Sequence, residues 1–355
     1  MEIIKVQPSV GGSYEVMIGS GLLKSCGNII RETADVCRVA VITDSTVEKL
    51  YLNTVVTSLE EAGFKVYYYS FSPGESSKNI YTLSDILEFL AKAGLTRTDM
   101  IASLGGGVVG DVSGFAAGCF MRGVRFVQLP TTLLASVDSS VGGKTAVDLK
   151  AGKNLAGLFY QPQSVICDTD CLNTLPQTLM ADGYAEALKM SVLSGESFFS
   201  VFESGGEKSL PEIIARCIRF KGEIVQSDEL ENGIRKMLNL GHTVGHAVEK
   251  CSDYRITHGH AVAIGLAVIS RSAARMKLCS ISCARRIETA LIKYSLPIFS
   301  PFSAPELAAA SLSDKKRSGN DITLVLPREI GDCVMQKFPI SELTDIISVG
   351  LGALI

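Results

Sequence analysis

The chain has 355 residues, with 34 lysines and arginines against 37 aspartates and glutamates, a net charge of −3. That balance excludes a surface built throughout for a polyanion such as nucleic acid, and 46% hydrophobic content excludes a disordered chain. The length predicts two domains at roughly 100–200 residues each.

Short apolar runs predict buried strands at 14–19, 38–43, 64–71, 100–104, 124–129 and 164–168, with helical periodicity at 46–62 and 78–93. Alternating strands and helices argue for a parallel sheet covered by helices. Beyond about residue 172 the pattern changes. Segments 176–205, 209–227, 238–252, 259–277, 281–294 and 341–351 read as helices, and only 321–326 suggests a short strand or hairpin. The expected organisation is a Rossmann-like α/β domain over 1–172 and an all-α domain over 173–355. No run of about 18 apolar residues occurs, so no transmembrane helix is expected. The first residues, MEIIKVQPSVGG, lack the basic start and apolar block of a signal peptide. Ten cysteines without a disulfide framework read as reduced, buried thiols, which points to the cytoplasm.

Four segments carry chemistry. In 101–115 a strand runs into Gly105, Gly106 and Gly107 at the start of a helix. Side-chain-free residues at a helix N-terminus let the backbone approach a phosphate, and a tight strand–helix turn is the other reading. Upstream, Asp44 ends the strand at 38–43, placed either for ribose hydroxyls or as a helix N-cap. In 128–148 Thr131 and Thr132 follow a strand, and Asp138, Ser139, Ser140, Gly142, Gly143, Lys144 and Thr145 crowd together. This suits an anionic ligand or a solvated loop. In 183–189 Glu186 and Lys189 share a helix face, which by itself reads as a surface ion pair. In 235–260 lie all four histidines. His242 and His246 are spaced i,i+4 on one helix face and His258 opens another, a divalent-metal signal in which spacing alone selects the first two.

Taken together, GGGVVGDVSGFAA, RGVRFVQLPTTLLASVDSSVGGKTAVD, KNLAGLFYQP, GYAEALK, RKMLNLGHTVGHAVE and HGHAVAIG resemble the 3-dehydroquinate synthase family of sugar phosphate cyclases, in family order from about 38 to 331. The resemblance implies an NAD-binding α/β domain, a helical metal- and substrate-binding domain, and a homodimer. The implied substrate is a small anionic sugar-acid phosphate, 3-deoxy-D-arabino-heptulosonate 7-phosphate. Neither nucleic acid nor a membrane is an expected partner. The implied metal ligands, for zinc or cobalt, are Glu186, His242 and His258. His246 becomes a phosphate contact and His260, where many relatives have glutamate, makes no direct metal contact.

By the same resemblance Lys144, Lys153, Asn154 and Asn239 surround the phosphate and reacting hydroxyls. Lys221 and Arg235 meet the carboxylate, Lys189 and Asp138 sit in the same pocket, and Lys316 or Lys315 adds a further lysine. Arg122 reaches a neighbouring subunit. The implied NAD contacts are Asp44, Glu75, Lys78, Gly105, Gly106, Gly107, Asp111, Thr131, Thr132, Lys144, Lys153 and Thr174. Other sugar phosphate cyclases and metal-dependent polyol dehydrogenases are the competing readings. The presence of Lys221, Arg235, Asn154 and His246 together favours dehydroquinate synthesis.

Overall fold

The computed structural model describes residues 1–205, 210–312, 317–318 (backbone only) and 320–354. Lys315 and Lys316 lie outside the described residues. The chain forms two compact units. One is Met1–Pro176 with Pro211–Leu230, the other Gln177–Leu210 with Glu231–Ile355. Helix Leu210–Ser227, which follows the expected boundary at 172, thus lies almost wholly in the α/β unit. Its Lys221 bonds Asp138, and Glu229 just beyond it accepts the amides of Val10 and Gly11.

The strands of the first unit are β1 (Glu2–Val6), β2 (Tyr14–Gly19), β3 (Arg38–Asp44), β4 (Lys65–Phe71), β5 (Met100–Gly105), β6 (Arg125–Pro130), β7 (Lys144–Leu149), β8 (Gly152–Phe159) and β9 (Ser164–Asp168). Seven of them form one sheet in the order β1-β2-β9-β6-β5-β3-β4. Only the β1–β2 pair is antiparallel. All six expected strands are present, and β1 joins as an edge hairpin partner. β5 is buried throughout, as its run of MIASLG requires of a strand covered on both faces. One apolar layer, including Ile30, Val55, Leu59 and Phe64, covers one face. Leu83, Ile86, Val112 and Phe126 lie in the other. From neighbouring β3 and β5 the chain leaves in opposite directions, to β4 and to β6. That switch point is where open α/β sheets hold ligands, beyond the carboxyl ends of the strands. Asp44 and Gly105 are the residues that stand there.

The polar segment from 144 onward is not a loop. β7 and β8 form an antiparallel hairpin outside the main sheet. β8 reads GKNLAGLF and is largely exposed, its Leu155, Leu158 and Phe159 included, so it does not read as a buried strand.

The second unit is helical apart from one small sheet. Its helices include Gln177–Ser194, Glu196–Ser204, His242–Cys251, His258–Arg275, Ile281–Lys293, Ala304–Ser311 and Leu343–Leu351. The helix expected over 176–205 breaks at Gly195, whose φ of 125° a side chain would resist. The strand or hairpin suggested at 321–326 is present, and its partner strands are what the all-α expectation lacked. That segment lies within a nine-residue strand, β11 (Asp321–Glu329), paired with β10 (Arg317–Ser318) and β12 (Asp332–Pro339). β12 reads DCVMQKFP and is half-buried, so neither alternation nor a continuous apolar run announces it. Among the described residues no helix is long and apolar enough to cross a membrane. All ten cysteines are free, but Cys119 is exposed and Cys37, Cys251 and Cys333 are partly so, which corrects the expectation that all are buried.

Candidate active site

In the first unit Asp44 caps the short helix that follows β3. Its Oδ1 accepts the amides of Thr46 at 2.8 Å and Val47 at 3.0 Å. That geometry realises the N-cap reading; Oδ2 is the oxygen that could serve a ribose. Gly106 precedes helix Gly107–Cys119, so the first amides of that helix point at the switch point. The glycines are required by close packing. A Cβ on Gly105 would lie 2.6 Å from Val109, one on Gly106 3.0 Å from Thr132, and one on Gly107 3.1 Å from Ser139. Thr131 is buried with its amide on the Gly105 carbonyl, and Thr132 Oγ1 accepts the Ala135 amide. Thr174 is exposed and hydrogen-bonded to Tyr51 and the Cys171 carbonyl.

Beside that loop, Lys78 organises a charged cluster. Its Nζ lies 2.6 Å from Asp111 Oδ2 and donates to Asn154 Oδ1 at 2.6 Å. Burial works against its charge, but Asp111 and Glu75 outweigh it and raise its pKa. Lys153 pairs with Glu75 at 3.0 Å, and the Asn154 amide donates to Asp148 at 2.8 Å. The Asp148 amide donates to the Lys78 carbonyl at 2.7 Å. Two segments far apart in sequence, 75–79 and the β7–β8 hairpin, are thereby tied together. Lys144 is exposed at the start of β7. Lys221 Nζ is bonded to both the carbonyl and the carboxylate of Asp138, at 2.7 and 2.6 Å. Arg122 is exposed on a turn where Met121 and Arg122 both have positive φ, 51° and 66°.

In the second unit helices His242–Cys251 and His258–Arg275 pack with almost no space between them. A Cβ on Gly265 would lie 2.0 Å from the Gly241 carbonyl, and one on Gly245 3.1 Å from the Ala261 carbonyl. Glycine at both places lets His242 and His258 approach, their rings 5.5 Å apart. Glu186 from helix Gln177–Ser194 completes the group. It is fully buried, its Oε1 lying 3.4 Å from His242 Nε2 and 3.3 Å from His258 Nε2. No hydrogen bond of proper geometry reaches that oxygen. His242 Nδ1 faces the Leu240 carbonyl at 3.1 Å, and His258 Nδ1 faces Glu249 Oε2 at 3.1 Å. A carbonyl and a carboxylate can only accept, so both Nδ1 atoms carry protons. When the rings are neutral, each Nε2 then has its lone pair on the side of Glu186 Oε1. Three acceptors converging on one point, each imidazole oriented by an acceptor behind it, fit a divalent cation.

A second group, His246, Glu249 and His258, also has its donor atoms clustered. It shares His258 with the first group, and within it Glu249 is hydrogen-bonded to His258 Nδ1. His246 lies with its ring 5.4 Å from that of His242 and 5.9 Å from that of His258, beside the cluster. Lys189, fully buried, is ion-paired to Glu186 Oε2. Arg235 is also fully buried, and Asn239 donates to Glu231 at 2.9 Å. His260 is bonded to Asp182 at 2.7 Å and is not in the cluster. Glu249 and Asp182 were not selected from sequence. No spacing connects residue 249 to 258 or 182 to 260 until the helices are packed.

Burial disfavours charge on both rings. On His242 it prevails and lowers the pKa to about 4. On His258 Glu249 and Glu186 overcome it and raise the pKa to about 10. Burial would raise the Glu186 carboxyl, but Lys189 and His242 hold it well below the usual carboxylate range. His258 has a folded pKa above its ordinary value of about 6.5, so its contribution is full below that pH and is lost as pH rises toward 10. In chelator-treated protein the stability difference between wild type and His258→Ala, from urea midpoints, is expected to shrink across that window. A difference that grows would reverse the assignment.

The comparisons follow this geometry. Residues 68–182 match the model described as 3-dehydroquinate synthase N-terminal, and 183–317 match 3-dehydroquinate synthase C-terminal. A 3-dehydroquinate synthase of Streptococcus thermophilus is 41% identical over 342 residues, 94% of this chain and 96% of the relative. The chain belongs to the 3-dehydroquinate synthase family. Another family member, from Clostridium kluyveri, is 40% identical over 338 residues, 93% of this chain and 94% of the relative. Among solved structures, 2-deoxy-scyllo-inosose synthase complexed with carbaglucose-6-phosphate, NAD+ and Co2+ superposes with a TM-score of 0.88 at 25% identity. The match covers 99% of this chain and 100% of that one. The family therefore extends over both units described above, including β7–β8 and the Glu186 cluster.

Proposed function

We propose that the chain converts 3-deoxy-D-arabino-heptulosonate 7-phosphate to 3-dehydroquinate and phosphate. The steps are oxidation at C5, phosphate elimination, re-reduction at C5, ring opening and an intramolecular aldol closure. The observation that carries this reading is the convergence of Glu186 Oε1, His242 Nε2 and His258 Nε2 in a member of this family. Bound NAD would take and return the C5 hydride, and a divalent ion, zinc or cobalt, would lower the pKa of the C5 hydroxyl.

The chain's own residues divide the remaining work. The Gly105–Gly107 turn and the amides behind it would receive the cofactor's phosphates. Asp44, Glu75, Lys78, Asp111, Thr131, Thr132 and Thr174 would line the rest of that site, with Lys78 and Asp111 holding its floor. Lys144, Lys153, Asn154, Asn239 and His246 would meet the substrate phosphate and hydroxyls. Arg235 and Lys221 would bind the carboxylate, for which a guanidinium offers two parallel donors. Lys189 and Asp138 would border the same substrate. Lys221 is held by Asp138, an ion pair at 2.6 Å that fixes where its ammonium stands. We also propose that the enzyme works in the cytoplasm, supported by ten free cysteines. A homodimer is supported by the exposed presentation of Arg122.

The test is an assay with the heptulosonate phosphate, NAD and zinc. One phosphate should be released per turnover with no net NADH. Steady accumulation of NADH would instead make the protein a polyol dehydrogenase, and absence of turnover on this substrate would point to another sugar phosphate.

A further inference from the structure

Helix His258–Arg275 starts without help from its own N-cap. Thr257 accepts no amide hydrogen bond through its side chain. Its hydroxyl instead donates to Asp182 Oδ1 at 2.6 Å. The same carboxylate oxygen accepts the backbone N–H of His260 at 3.0 Å. That amide, the third of the helix, is the one an N-cap side chain ordinarily takes. The oxygen also meets His260 Nδ1 at 2.7 Å. Asp182 belongs to another helix, Gln177–Ser194, where it stands four residues before Glu186 and on the same face. The fit is close, since a Cβ on Gly259 would lie 2.2 Å from Asp182 Cα.

We propose that Asp182 is a positioning residue that caps the His258 helix from its neighbour and so fixes His258 Nε2 against Glu186. The proposal rests on the metal-centre reading above. One face of one helix grips the first turn of the next at two points. Asp182 holds the backbone at Thr257–His260, and Glu186 meets the first side chain of the helix, His258. A carboxylate at a helix start also lies at the positive end of the helix dipole. Glu249 fixes the ring through Nδ1. Without Asp182 the first turn keeps unpaired amides and frays, and His258 is the residue that the fraying displaces. A ligand set tolerates only about 0.5 Å of such drift. His260 closes the clamp, which gives the fourth histidine a role although it is not a ligand.

The experiment measures zinc dissociation constants by competition with a chromogenic chelator, alongside thermal unfolding of the zinc-free proteins. Asp182→Ala is expected to bind zinc on the order of 10- to 100-fold more weakly, as when a ligand's supporting partner is lost. Asp182→Asn keeps an oxygen acceptor and should stay close to wild type, and His260→Ala should fall between them. Wild-type affinity in Asp182→Ala overturns the proposal. So does an equal loss in Asp182→Asn and Asp182→Ala that tracks their unfolding temperatures. If Asp182→Ala does not fold, Thr257→Val and His260→Ala each remove one donor, and unchanged affinity in both is equally fatal. A wild-type chain that takes up no zinc removes the metal centre itself, and the proposal with it. The two failures are distinguished by the wild type alone.

Discussion

Glu186→Gln is expected to remove bound metal and turnover together while leaving the fold in place. Glutamine has the same shape, so helix Gln177–Ser194 need not move. The charge is what changes. Glu186 Oε1 is the point on which both imidazoles converge, and Oε2 holds the fully buried Lys189. Removing one partner of a buried pair costs about 3–5 kcal/mol, because the charge left behind has no solvent to return to. A loss of that size at the cation itself is on the order of a hundred- to several-thousandfold in affinity. Zinc content after dialysis and phosphate release from the heptulosonate phosphate are the two measurements, with circular dichroism to check folding. A folded variant that retains stoichiometric zinc and wild-type turnover would dismiss Glu186 as a ligand.

The second large effect is expected at Lys78. Lys78→Met leaves the Asp111 carboxylate and the Asn154 carboxamide facing an apolar side chain where an ammonium stood 2.6 Å from each. By the same argument the cost is about 3–5 kcal/mol, or a melting temperature roughly 5 °C lower for a chain of this size. Lys78→Met with Asp111→Leu separates two roles. Replacing both members of a buried pair by apolar groups is often close to neutral, so the double variant should regain most of the lost stability. NAD affinity, measured by fluorescence titration, should not return with it. Recovery of both would mean that the pair is purely structural, and recovery of neither would mean that the pocket has collapsed.

The legible parts of this molecule are those whose signal is local. Six strands of the main sheet were predicted because each is a short apolar run, and Gly105–Gly107 because a strand must turn there into a helix. The β7–β8 hairpin was missed because glycines, lysines and an asparagine interrupt its apolar residues, several of which stay exposed. Strand β12 was missed for lack of any periodicity. The cluster of Glu186, His242 and His258 shows the boundary most clearly. Histidine spacing selected His242 and His246, yet the structure turns His242 and His258 together, because glycines at 241, 245 and 265 let two helices nearly touch. Glu186 has the spacing of a surface ion pair, and only family resemblance selected it. Burial then shows why that pair is different. Asp182 and Glu249 carried no signal, since a residue that supports another across a helix interface is recognisable only when the interface exists.

Helix Leu210–Ser227 bears on how the protein is made. Its unit is completed by a segment that arrives after the chain has already contributed Gln177–Leu210 to the other unit. A nascent chain of 176 residues therefore holds the whole seven-stranded sheet but lacks Lys221 for Asp138 and Glu229 for the Ser9–Gly11 turn and Gln161. Domains commonly fold in order as they emerge from the ribosome. Here the α/β unit must wait for residue 230, with the loop that precedes β7 unclamped meanwhile. Chaperone binding and proteolytic nicking during synthesis should concentrate in that interval.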